Sequence, residues 1–309
     1  MTARQVVSAE VAEALAEGRP MVALETSVLA QGLPHPRNLD AARAMEGAIR
    51  DAGAVPAWTW VEGGRVRFGA AWDDVERLGS PQVPTSKVAR RDLPAVVAGA
   101  GLGATTVSAT LWIAYRAGVE VMATGGIGGV HLGTGDVSAD LLEMATTPGT
   151  VVCSGPKSIV DPLATLERLE ELGVLVVGYR CERLPFFLAR EADVALEHHV
   201  RGPKEAAAFV RARRELSIDS AVLVCNPIPE ANAMPAGEVA QAVRACEGRA
   251  EELQVTGKDL TPFLLRCLAE RTNGASLEAN LALLENNARV AAEIALELAD
   301  GAPGSASVS

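Results

Sequence analysis

The chain has 309 residues, 49% of them apolar, enough to bury a large core in one big domain or two unequal ones. Its 39 acidic and 28 basic residues leave a formal net charge of −11 with no basic balance or face, which argues against nucleic acid as a partner but not against a small phosphorylated ligand. No apolar run approaches the roughly 20 residues needed to span a bilayer, so no membrane partner is expected.

In chain order, MTARQVVSAEVAEALAEGRP reads as a helix pattern rather than a signal peptide, and a soluble, cytoplasmic protein is the expectation. An apolar strand over Met21–Leu24 is followed by a helix over Asn38–Ala52. Val55–Val61 begins a strand pair around Glu62-Gly63-Gly64-Arg65, a hairpin signal that reads as a small β insertion reaching to about residue 69. Helices then fall at Ser108–Ala117, Ser138–Ala145, Pro162–Leu172 and Pro203–Leu216. They alternate with strands at Val119–Met122, Thr150–Cys153, Val174–Val177 and Ala221–Cys225. Helical periodicity resumes over Gly237–Glu252 and Leu277–Leu298. Uniformly apolar strands between amphipathic helices predict an α/β fold, a largely parallel sheet covered on both faces. Residues 1–300 read as one domain, and the small, polar stretch 301–309 as a disordered tail. The cysteines at 153, 181, 225, 246 and 267 match no zinc or redox spacing and read as buried free thiols in a reducing compartment.

In such folds ligands gather beyond the carboxyl ends of the strands. Glu25 follows the first strand directly; a carboxyl group at a desolvated, ligand-facing end suits general acid work, though it also suits capping of a neighbouring backbone. The loop Thr124-Gly125-Gly126-Ile127-Gly128-Gly129-Val130-His131 lets backbone N–H groups approach an anion closely, and it leads to a helix start at Ser138-Ala139-Asp140. Its spacing is neither a dinucleotide fingerprint nor a Walker loop. Asp136 and Asp140 lie four apart and have the oxygen chemistry to share a magnesium or manganese ion with waters, or simply to face a helix N-terminus. Lys157 follows a buried strand and a Gly-Pro turn, where partial desolvation favours the nucleophilic amine; Lys87, in a turn-rich stretch, also reads as a surface lysine. His131 is a better ligand candidate than the exposed-looking pair His198-His199. Asn280 and Asn287 share a helix face, where buried carboxamides need partners from a ligand or a neighbouring helix.

These stretches together resemble the pseudouridine-5′-phosphate glycosidase family, also called indigoidine synthase A-like. The resemblance rests on ALETSVLAQGLPHPRN, TSKVARRDLP, GATTVSAT, ATGGIGGVH, DVSADLLE, VVCSGPKSIVD, CNPIPE, VTGKDLTPFLL and NLALLENNARVAAEIA, in order from about residue 22 to 296. It implies reversible cleavage of pseudouridine 5′-phosphate to uracil and ribose 5-phosphate with manganese or a similar divalent ion, and a homotrimer. By motif it assigns the lysine nucleophile to Lys157, the proton donor to Glu25 and the metal aspartate to Asp136. Substrate contacts fall on Lys87, Val107, Ser138, Ala139 and Asp140, with Thr124, His131 and Asn280 beside them. Two features depart from the family pattern: the loop between His131 and Asp136 is short, and Pro156 replaces a smaller residue before the lysine. A phosphosugar aldolase would share a Schiff-base lysine but not need the asparagine face. A non-catalytic phosphosugar sensor would not need both Glu25 and Lys157.

Overall fold

A computed structural model describes residues 4–131, 136–257 and 260–300. The expected tail at 301–309 and the short loop at 132–135 lie outside the described residues. The chain begins with β1 (Gln5–Val7), α1 (Ala9–Glu17), β2 (Met21–Glu25), a π-helical turn over Val28–Gly32 and α2 (Arg37–Asp51). Next come β3 (Val55–Glu62), β4 (Arg65–Phe68), α3 (Trp72–Leu78), β5 (Ser86–Val88), α4 (Leu93–Ala98) and β6 (Gly103–Thr105). Alternation follows through α5 (Val107–Ala117), β7 (Val121–Ala123), α6 (Ala139–Thr146), β8 (Thr150–Cys153), α7 (Pro162–Glu171) and β9 (Leu175–Tyr179). The last elements are β10 (His198–Val200), α8 (Pro203–Glu215), β11 (Val222–Cys225), α9 (Ala236–Glu252), α10 (Leu260–Arg271) and α11 (Ala275–Asp300).

Among the described residues the strands form one eleven-stranded sheet with the path β1-β4-β3-β2-β7-β8-β11-β9-β10. Every pairing is parallel except β3 with β4 and β3 with β6. Side chains alternate between two cores, as a period of two requires. Val22, Leu24, Val152, Val177 and Val224 face one way, toward α2, α8, α9, α10 and α11. Ala23, Met122, Val151, Val176 and Leu223 face the other, toward α1, α4, α5, α6 and α7. Burial on both faces explains why these strands read as unbroken apolar runs.

Local chemistry sets the helix ends. The Ser8 hydroxyl accepts from Val11 N at 3.3 Å to start α1, and Gly18 ends it with φ +67°. Asp161 caps α7 by accepting from Ala164 N at 3.0 Å, just ahead of Pro162. The strand expected at Val119–Met122 starts later, at Val121, because Val119 N still donates to Ala114 O in the cap of α5.

The β insertion expected near residues 55–69 is a hairpin whose Gly63 and Gly64 both have positive φ, as a tight hairpin turn needs. Its first strand is also a full member of the sheet, paired in parallel with β2 from Met21↔Val55 to Glu25↔Thr59. Past Thr59, β4 holds one edge of β3 and β6 takes the edge that β2 has left. That brings β5, paired to β6, over the carboxyl end of β2. Among the described residues no helix is long and apolar enough to cross a membrane.

The cysteine expectation is corrected. Cys246 and Cys267 form a disulfide with Cα atoms 5.8 Å apart, while Cys153, Cys181 and Cys225 are free. Packing of α9 against α10 brings the bridged pair together, a proximity that their spacing along the chain does not reveal. Alkylation of protein purified without reductant, then unfolded, is expected to label three of the five thiols, read by mass. Labelling of all five would remove the bridge.

Candidate active site

The carboxyl ends of β2, β7 and β8 open into a cavity of about 200 Å³. Every residue that the family resemblance assigns to the site lines it. Glu25 is the last residue of β2, only 4% exposed. Its Oε1 accepts from Thr124 Oγ1 at 2.5 Å and its Oε2 from Ser27 Oγ at 2.5 Å, so among the described residues the carboxyl is fixed by hydroxyls. Thr124, buried, is the first residue past β7.

Lys157 lies in the turn after β8, half-buried, and makes no ion pair among the described residues. Its backbone is tied to the glycine loop: Ser154 N donates to Gly125 O at 2.9 Å, Ile127 N to Gly155 O at 3.1 Å and Lys157 N to Ile127 O at 3.0 Å. The turn depends on Gly155, which has φ +75° and whose missing Cβ would sit 1.9 Å from Pro185 O. Pro156 interrupts nothing in this ladder, since its neighbours Gly155 and Lys157 supply the polar groups.

Lys87, on β5, reaches the cavity because β5 and β6 extend the sheet past β2. Arg90 anchors that segment, donating to the buried Glu143 carboxylate at 3.1 Å, and burial raises the pKa of Glu143. Val107 opens α5 and points the start of that helix at the cavity. Ser138 caps α6, accepting from Asp140 N at 3.2 Å, and Ala139 is its first residue. Asp140 is 6% exposed and engaged on both oxygens, by Ser108 N at 3.1 Å and Gly128 N at 3.0 Å. It therefore clamps α5, α6 and the glycine loop to one another. Gly128 is required there, because a Cβ would meet Ser138 Oγ at 2.3 Å.

His131 is half-buried in the wall, and burial holds its imidazole below the usual pKa; Asp136 opposes that shift, and Lys87 and Lys157 reinforce it. Asp136 is exposed on the cavity side. Among the described residues no cluster of three or more His, Cys, Asp or Glu side chains is placed to hold a metal ion. With Asp140 committed to backbone, the donor set fits a hydrated hard cation held by Asp136, waters and substrate oxygens, not an all-protein cage.

Asn280 on α11 is 8% exposed and lines the cavity, as do the apolar residues Ile159, Phe187, Leu265 and Leu284. Asn287, on the same face, does not line the cavity but is wholly buried beneath it. His198 and His199 are exposed on β10, away from the site. Sequence reasoning did not single out Ser27, Gln31, Arg91, Thr106 or the roof residues Thr261, Pro262 and Leu265. All of them lay inside the quoted motifs, the roof residues within VTGKDLTPFLL, but none was assigned a role.

The residues that meet here match a family model, indigoidine synthase A like protein, over residues 10–297. The chain belongs to the indigoidine synthase A-like family. Within and around that family, a protein from Hahella chejuensis named pseudouridine-5′-phosphate glycosidase is 44% identical over 298 residues, covering 96% of this chain and 98% of its own. One of the same name from Symbiobacterium thermophilum is 47% identical over 301 residues, covering 94% and 97%. Two solved structures share the fold at a TM-score of 0.88. A prealnumycin C-glycosynthase in complex with ribulose 5-phosphate is 38% identical, covering 97% of this chain and 98% of its own. An indigoidine synthase A-like protein from Thermotoga maritima is 36% identical, covering 96% of each chain.

The glycine geometry predicts opposite outcomes at two positions. Gly155→Ala is expected to lower unfolding free energy by about 1–3 kcal/mol, from strain at positive φ and the clash with Pro185 O. Gly248→Ala, exposed inside α9 with nothing near its missing Cβ, should raise it by roughly 0.5–1 kcal/mol. Urea unfolding of both variants checks the pair, and equal effects would contradict the assignment.

Proposed function

We propose that the chain is a pseudouridine-5′-phosphate glycosidase, reversibly cleaving the C–C glycosidic bond to give uracil and ribose 5-phosphate, in the cytoplasm and as a homotrimer. The observation that carries this reading is a single cavity in which the Lys157 amine, the Glu25 carboxyl group, Lys87 and the Asn280 carboxamide converge. The relatives named above support the same chemistry. The trimer and the compartment rest on the family resemblance alone.

A C-glycoside has no leaving-group oxygen to protonate at the scissile bond, so the two-carboxylate scheme of ordinary glycosidases does not suffice. A covalent route divides the difficulty. The neutral Lys157 amine bonds to C1′ as the C1′–O4′ bond breaks, with the ring oxygen taking a proton from Glu25 and nitrogen losing one. The nitrogen lone pair then forms C1′=N as the C1′–C5 bond breaks, and the base carbon takes a proton. Water adds to the imine, releasing open-chain ribose 5-phosphate and restoring the amine. Thr124 and Ser27 hold Glu25 for these transfers. Lys87 and the start of α5 at Val107 hold the phosphate, whose binding energy positions C1′. Ser138, Ala139 and Asp140 frame the sugar side, with His131 at the wall. Asn280 offers donor and acceptor to the edge of the base between apolar walls. Asp136 would hold the manganese or magnesium ion, which when bound supplies positive charge that orders water and substrate oxygens.

Uracil release from pseudouridine 5′-phosphate is the deciding assay. Lys157→Ala is expected to lower kcat by about 10³-fold or more with substrate still bound, and Lys87→Ala mainly to raise KM. Borohydride during turnover should leave a pentose phosphate adduct on the Lys157 peptide. An adduct on Lys87, or near-normal turnover by Lys157→Ala, overturns the nucleophile. Binding without uracil release identifies a sensor, and cleavage within a phosphosugar identifies an aldolase. Chelation should abolish turnover and manganese restore it, with Asp136→Asn shifting the metal dependence most; full activity after rigorous metal removal rejects the metal role.

A further inference from the structure

Asn287 is wholly buried on α11, where a carboxamide costs about 1–3 kcal/mol unless its polar atoms find partners. Here they do. Asn287 Nδ2 donates to Thr124 O at 2.9 Å and to Ser154 Oγ at 3.1 Å, with Gly125 O at 3.4 Å. Its Oδ1 accepts from Asn226 Nδ2 at 2.9 Å, with Ser154 Oγ at 3.3 Å.

The partners have one thing in common. Thr124, Ser154 and Asn226 are the first residues past β7, β8 and β11, which are neighbours in the sheet. One side chain therefore stitches together the exits of adjacent strands. Two of those exits carry reacting groups. Thr124 donates its hydroxyl to Glu25 at 2.5 Å. Ser154 begins the turn that ends at Lys157. A leucine of similar size would pack α11 on the sheet equally well, but it would leave Thr124 O and Asn226 Nδ2 without this partner.

We propose that Asn287 is a positioning residue for the reaction: its carboxamide sets the Glu25-bearing and Lys157-bearing segments in one register. The inference rests on the reading of Lys157 and Glu25 as the reacting groups. Reaction geometry is steep in distance, and a shift of about 1 Å costs up to about 10²-fold in rate. A purely structural asparagine would alter thermal stability and leave the kinetic constants of the folded enzyme intact.

The test uses the full chain with pseudouridine 5′-phosphate, reading thermal unfolding, kcat, KM and the rate of borohydride trapping with ribose 5-phosphate. In folded Asn287→Ala, kcat and trapping are expected to fall together by about 10-fold or more, while KM stays within about threefold. Ser154→Ala, which removes one hydroxyl partner, should show the same pattern at about threefold. Wild-type kcat and trapping in folded Asn287→Ala overturn the proposal. If that variant does not fold, Ser154→Ala and Asn226→Ala decide, and wild-type kinetics in both overturn it. Failure of the underlying reading looks different: the wild-type enzyme itself then gives no adduct on Lys157, which rejects both.

Discussion

Beyond Ala123 and Cys153, β7 and β8 stop being strands but go on pairing. Thr124 N donates to Val152 O at 3.0 Å, and the ladder continues through Ser154, Ile127 and Lys157. This continuation makes the glycine loop and the lysine turn a single backbone unit. The other site features are attached to it. Asp140 clamps the loop at Gly128, Thr124 reaches across to Glu25, and α11 backs the joint from below. Glycines are used where the ladder runs against other backbone, as at Gly155, not as a general source of flexibility.

Under Glu25 the structure uses hydroxyls in place of charges. Thr26, Thr59, Thr105 and Thr110 are fully buried and bond to one another, with Thr59 Oγ1 2.6 Å from Thr105 Oγ1 and 2.9 Å from Thr110 Oγ1. Thr26 Oγ1 donates to Thr59 O at 2.7 Å and accepts from Thr105 N at 2.9 Å. The cluster joins the end of β2 to β3, β6 and α5; β2 presents Glu25, α5 presents Val107, and β6 pairs with β5, which carries Lys87. A neutral network holds them without adding a buried ion, whose desolvation costs several kcal/mol. In this acidic protein, at −11 overall, Lys87 and Lys157 thus line the cavity beside Glu25, above a floor joined by hydroxyls.

The central strands and long helices were legible because burial on both faces leaves an unambiguous trace: VVC and VLVC have no polar residue for a loop to use. The ends of those strands were legible for the same reason, and Glu25, Thr124 and Lys157 follow from them. What was missed is short or set by partners distant in the chain. β5 and β6 have three residues each and exist because β3 outruns β2. β10 reads as an exposed His pair because its edge position leaves side chains in water. The roles of Asp140 and Asn287 were ambiguous for another reason. A carboxylate four residues from another, or a carboxamide seven from another, looks the same in sequence whether its partner is a ligand or a backbone amide. The Cys246–Cys267 bridge was hidden because a separation of 21 residues implies nothing about which helix faces meet.

Floor and roof of the cavity are assembled differently. The floor draws on strands scattered from residue 25 to 157, so any displacement of it must break sheet pairing. The roof comes from Thr261, Pro262 and Leu265 on α10, which packs chiefly on its neighbour α9 and is covalently joined to it. Such a helical hairpin rides as a cassette beside the sheet. Substitutions within it reshape the roof of the cavity while the sheet pairing that holds the floor is left intact.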